Sequence, residues 1–149
     1  MKRVFSLLLV LALTLSLAAC GDNSAKWQEQ YDLGQKYLTE GNYEEAILAF
    51  TAAIEIDPKR APAYVGRGSA YALSGDTADN LTAAEADFTT AIELDETDPD
   101  AWLGLADVYI RMGDYDKAQE TLEQALEALG DDDRITAKLA EMEEGRFTD

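Results

Sequence analysis

Histidine is absent from all 149 residues, and cysteine occurs once, at Cys20. Without an imidazole, Ser-His and Cys-His nucleophiles and His-rich zinc sites cannot be built. A single thiol has no partner for an intrachain disulfide. Positive charge is scarce as well, with 12 Lys and Arg against 30 Asp and Glu and a net charge of −18. A surface of that sign is a poor match for nucleic acid, so none is expected as a partner. The most apolar stretch, Val4 to Ala19, falls short of the roughly 20 residues that a membrane-spanning helix needs. Carboxylate pairs could still serve glycoside chemistry, but the acids sit in turns and on polar helix faces. No catalytic residue, metal-ligand set or cofactor is therefore expected.

What is present begins with order at the amino terminus. Lys2 and Arg3 precede the apolar stretch from Val4 to Leu17, and Leu17-Ala18-Ala19-Cys20 closes it. That is the order of an export signal, basic, then apolar, then small. Ordinary secretion fits less well, because Leu17 stands where an A-x-A cleavage site wants a small residue. The segment resembles the lipobox of bacterial lipoproteins. The resemblance implies that residues 1–19 are a signal peptide, that Cys20 is the lipidation site, and that the acyl chains hold the mature chain on the extracytoplasmic side of a bacterial cell membrane. Lys2 and Arg3 leave with an acid-free leader, so the mature charge is −20. Anionic headgroups repel such a chain, and attachment through acyl groups rather than a basic patch follows. Residues 20–26 read as a short tether.

Compared with itself, the remainder repeats. Gly34 and Gly68, Tyr37 and Tyr71, and Gly41 and Gly75 are 34 residues apart, whereas Tyr71 to Tyr109 and Gly75 to Gly113 are 38. Further along, Phe50 to Phe88 and Ala53 to Ala91 are 38 apart, while Phe88 to Leu122 and Ala91 to Ala125 return to 34. Three units of 34 residues fit, the second with four extra residues between Gly75 and Phe88. Apolar residues on either side of each glycine follow a helical period, so each unit reads as helix, glycine turn, helix. Small residues recur where two helices must approach closely: Gly34, Gly68 and Ala106 in the first helices, Ala46, Ala84 and Ala118 in the second. Pro58 and Asp98-Pro99 mark the seams.

These units resemble tetratricopeptide repeats. Residues 27–60 carry Leu33-Gly34, Tyr37, Gly41, Tyr43, Ala46, Phe50, Ala53 and Pro58 of the pattern. Residues 61–98 keep Tyr64, Gly68, Tyr71, Gly75, Ala84, Phe88 and Ala91, and residues 99–132 keep Trp102, Ala106, Tyr109, Gly113, Tyr115, Ala118 and Ala125. Gln30 departs from it where an aromatic is common. The resemblance implies an all-α, right-handed solenoid. Residues 133–149 read as a capping helix and tail, with Ile135, Leu139 and Met142 on one face to cover the last unit. The four extra residues are expected to lengthen the turn over 74–82. The acidic runs Asp95 to Asp100 and Asp131 to Asp133 sit at helix starts, where capping explains them better than a calcium loop.

What the resemblance implies about function is peptide binding in the concave groove lined by the first helices. On this chain the groove positions are Tyr31, Gln35, Leu38 and Thr39, then Val65, Ser69, Ala72 and Leu73, then Leu103, Asp107, Ile110 and Arg111. Gln35, Ser69 and Asp107 stand where members that clamp acidic C-terminal peptides carry asparagine. An apolar or basic segment of a protein partner is therefore expected rather than an acidic one. The chain reads as a membrane-anchored interaction scaffold, with an assembly factor of a pilus or outer-membrane complex as the alternative.

Overall fold

A computed structural model describes residues 23–146. Among them are seven helices and no strand: α1 over 23–40, α2 Tyr43–Ile56, α3 Ala61–Ser74, α4 Ala78–Leu94, α5 Pro99–Met112, α6 Tyr115–Leu129 and α7 Asp133–Arg146. Each helix from α2 onward packs on the next, and α3 also touches α5, which makes a helical-repeat solenoid of three hairpins and a closing helix. The signal segment 1–19 and Cys20 lie outside the described residues. So do 147–149, while α7 runs through Gly145 to Arg146. Of the tether expected over 20–26, residues 23–26 are already helical. They are held there because Ser24 Oγ accepts from Arg60 at 3.2 Å and Trp27 is 4% exposed, stacked on Tyr31 at 4.9 Å between centroids.

The hairpin turns need left-handed glycine. Gly41 and Gly113 have φ near +77° and +80°, and the next residues, Asn42 and Asp114, donate to the Tyr37 and Tyr109 carbonyls at 2.9 Å. This satisfies carbonyls that the helix end would leave bare. The starts of α4, α5 and α7 are capped by side chains, Thr77 accepting from Asn80 N, Asp98 from Asp100 N, and Asp132 from Arg134 N and Ile135 N.

The four extra residues of the second unit correct one expectation. Only Gly75, Asp76 and Thr77 are non-helical, and the remainder extends α4 to 17 residues, against 14 in α2. The Thr77 cap is what turns added chain into added helix. Asp76, in the short loop, pairs with Arg111 on α5. Deleting Thr77 to Asn80 removes that cap but no core side chain, so it should cost about 1 kcal/mol, a fall in melting temperature of roughly 4 °C. Collapse of helical circular dichroism would show the extra turn to be essential to the array.

Two aromatic side chains organise the interior. Phe50 on α2 is 0% exposed, and a β-carbon at Gly34 (α1) or Gly66 (α3) would lie 2.7 or 2.4 Å from its ring. Phe88 on α4 repeats the arrangement: a β-carbon would lie 3.3 Å from it at Gly68 (α3) and 2.4 Å at Gly104 (α5). Each ring occupies a slot between a glycine of its own unit and one of the next. Alanine pairs close the seams beside them, Ala53 with Ala63 and Ala91 with Ala101. α7 closes the array by laying Ile135, fully buried, with Leu139 and Met142 against Trp102, Leu122 and Ala125.

Candidate functional site

The first helices line one surface, which holds a pocket of about 300 Å³. α1 supplies Tyr31, Gln35 and Leu38, one to two turns apart on one face, and α3 supplies Pro62, Val65, Gly66 and Ser69. Five of the groove positions read from the sequence, Tyr31, Gln35, Leu38, Val65 and Ser69, thus meet in one concavity. Leu38, Pro62 and Val65 give the lining an apolar part within a mostly polar wall, and Gln35 Nε2 donates to the Tyr31 hydroxyl at 2.9 Å, fixing both side chains. Val65 is only half open, since it also packs against the Leu81, Phe88 and Leu105 cluster.

The lip of this pocket was not legible as part of the groove. Asp98 and Asp100, at the start of α5, complete the lining. Both read in the sequence as helix-capping acids, and Asp98 does cap α5. Their position at a groove edge appears only once α5 is stacked beside α3. Arg134 from α7 donates to Asp100 at 2.7 Å. No lysine or arginine lines the pocket.

The third-unit positions are arranged differently. Leu103 packs in the cluster that α7 covers, and Lys138 of α7 holds Asp107 at 2.7 Å. That hydrogen bond raises the Lys138 pKa above its usual value, with burial opposing it. Arg111 is taken by Asp76, Leu73 is 54% exposed, and neither they nor Leu103, Asp107 and Ile110 line the pocket. Two side chains of the closing helix, Lys138 and Arg134, thus reach acids of α5 while its apolar face covers the end of the array. Lys138 is partly buried on Asp107, whereas Arg134 stays exposed beside Asp100.

A second cluster lies deeper, behind the groove. Arg67 on α3 forms a two-pronged bond to Asp87 on α4, Nε to Oδ2 at 2.8 Å and Nη2 to Oδ1 at 2.7 Å, and its Nη1 reaches Thr51 on α2 at 3.1 Å. Asp87 is 5% exposed. The bond to Asp87 raises the guanidinium pKa further, against the effect of burial. Tyr109 donates to Glu85 at 2.9 Å, and burial first, then that bond, pushes its pKa up to about 12. Both arrangements lock helices together. Among the described residues no cluster of three potential metal ligands occurs, and no helix is long and apolar enough to cross a membrane.

Comparison with known proteins accords with this geometry. A family model described as tetratricopeptide repeat matches residues 77–142, and a second, described as TPR repeat, matches 34–75. No curated protein matches the sequence. Among solved structures, the TPR2B domain of yeast Sti1, in a complex with Hsp70, is similar at 26% identity and a TM-score of 0.73, covering 82% of this chain and 99% of that one. MamA is similar at 28% and 0.70, covering 81% and 68%. The first TPR of Spaghetti (RPAP3), bound to the HSP90 peptide SRMEEVD, is similar at 24% and 0.72, covering 83% and 94%. The family is one of interaction domains, and the fold suits protein–protein contact.

Proposed function

We propose that this chain of tetratricopeptide repeats is a lipid-anchored scaffold on the extracytoplasmic face of a bacterial membrane, and that it takes an apolar or basic segment of a partner protein into its concave groove. The observation that carries the binding half is the pocket between α1 and α3, where Leu38, Pro62 and Val65 stand beside Asp98 and Asp100 with no cation in the lining. The peptide in the Spaghetti complex is acidic. Here the pocket carries the same sign as that peptide, with Asp98 and Asp100 and no cation in its lining, and Arg111 and Lys138 are held by Asp76 and Asp107. What supports the anchoring half is the sequence around Cys20.

Each half has its own test. Ser69→Arg places a long cation in the pocket at a position that no core cluster needs, so helical circular dichroism should persist. Crosslinked capture of the partner from native membranes should then weaken by about thirtyfold or more, the scale of a lost interface anchor. Undiminished capture by the folded variant would move binding off the groove. Separately, Cys20→Ala should yield an uncut precursor that takes up no fatty-acid label, since two or three acyl chains are what stable attachment requires. Label on that variant would remove the anchor from the proposal.

A further inference from the structure

We propose that the outer face of the first unit, between α1 and α2, is a second docking surface, and that its occupant is an amphipathic helix of another protein with a lysine- or arginine-rich rim. The face holds a pocket of about 260 Å³ lined by Gln30, Leu33, Tyr37, Glu45, Leu48 and Ala49. Leu48 is 71% exposed, the most exposed large apolar side chain among the described residues, and the matching positions of the other units are Ala86 and Glu120. A solenoid repeat has no internal need for leucine there.

The later units show what such a face receives. Leu33 corresponds to Arg67 and Leu105, and Tyr37 to Tyr71 and Tyr109. Leu105, 7% exposed, packs with Leu81, Ala84 and Phe88 of the preceding second helix, α4, and Tyr109 donates to Glu85 of the same helix. Arg67 likewise reaches Thr51 of α2. The face that α3 and α5 turn toward a preceding helix meets no such helix on α1 among the described residues. A helix with apolar residues three and seven positions after the first, as in Leu81, Ala84 and Phe88, matches it.

Charge selects the occupant. Residues 23–56 carry two lysines and six acids, and Glu45 is part of the pocket wall. A basic rim is attracted to that surface, whereas a second copy would set acid against acid in a chain of net charge −18.

The test uses the intact chain and two fluorescent helical peptides that keep the Leu81, Ala84, Phe88 register, one with lysines and one with glutamates at the outward positions. At low salt, anisotropy should show the lysine peptide binding at least about tenfold more tightly than its twin. Leu48→Asn should weaken that binding by about tenfold, as for a lost apolar anchor, while Ser69→Arg in the concave groove leaves it unchanged. Equal binding of the twins, no binding of either, or no effect of Leu48→Asn would overturn the proposal. Loss of binding in Ser69→Arg would place the peptide in the groove instead. Sedimentation showing dimers that Leu48→Asn dissolves would make the occupant a second copy and overturn it too.

Discussion

Asp87→Ala should destabilise the array by about 3 kcal/mol, the lower end for breaking a buried ion pair, and lower its melting temperature by roughly 10 °C. The carboxylate is 7% exposed and takes two hydrogen bonds from Arg67, whose own side chain is 20% exposed. Removing it leaves a guanidinium between α2, α3 and α4 with Thr51 as its hydrogen-bond partner and the Tyr64 ring 5.8 Å away. The partial exposure of Arg67 lets some water reach it, which keeps the cost from the top of the range. The third unit supplies the control. Its matching positions hold Leu105 and Thr121, a neutral pair of which Thr121 satisfies itself on the Lys117 carbonyl at 2.8 Å. Arg67→Leu with Asp87→Thr should therefore recover most of the loss. If Asp87→Ala melts with the wild type, the pair contributes nothing to the fold.

Gly66→Ala should cost about 2 kcal/mol, even though alanine is the better helix former by about 1 kcal/mol. The new methyl would lie 2.4 Å from the Phe50 ring, and the ring has no room to retreat, because the corresponding point on Gly34 is 2.7 Å from it on the other side. Overpacking a tight core costs about 1–3 kcal/mol, and a site closed on two sides belongs at the upper end or beyond. The sign of the effect should depend on the ring. In a Phe50→Leu background the methyl gains space, and Gly66→Ala should become neutral or stabilising by up to about 1 kcal/mol. Thermal melts of the four proteins would decide it. An unchanged cost in both backgrounds would mean that the slot does not govern this seam.

Both arguments rest on residues that periodicity alone does not rank. The spacings of Gly34, Gly41, Phe50 and Ala53 made the hairpins and their number legible, because a repeat must present the same side chains to the same neighbours. Ile135, Leu139 and Met142 made the closing helix legible by their common face. Gly66 and Gly104 are also 38 apart, in step with the first-helix spacing, yet a glycine inside a helix announces only a close approach and not what approaches. Arg67 and Asp87 were invisible as a pair, since twenty residues separate them and the other units hold no charge at those positions.

The groove was legible by register for α1 and α3, because two neighbouring first helices place Tyr31, Gln35, Leu38, Val65 and Ser69 by helical geometry. It was not legible for the third unit. There α7 decides what stays open, through Lys138 on Asp107 and Arg134 on Asp100. A terminal helix meets no repeat constraint, so its side-to-side placement depends on individual charge pairs. The same reasoning explains the inserted residues: their number was countable, but their becoming helix depended on one threonine, Thr77, accepting from Asn80 N.

The glycine slots also set the last junction apart from the two before it. Phe50 and Phe88 each need a glycine from the helix that follows, Gly66 and Gly104. In the third unit the ring is replaced by Leu122, and the corresponding position of α7 is Lys138 instead of glycine; at the seam, where Ala53 and Ala91 meet alanine, Ala125 meets Ile135. These three changes occur together at one junction. α7 docks on α6 with Lys138 and Ile135 where the earlier incoming helices bring glycine and alanine, so this junction lacks the aromatic clasp that joins the units before it. A hairpin grafted here in the earlier geometry would need an aromatic ring at position 122 and small residues of its own opposite positions 122 and 125.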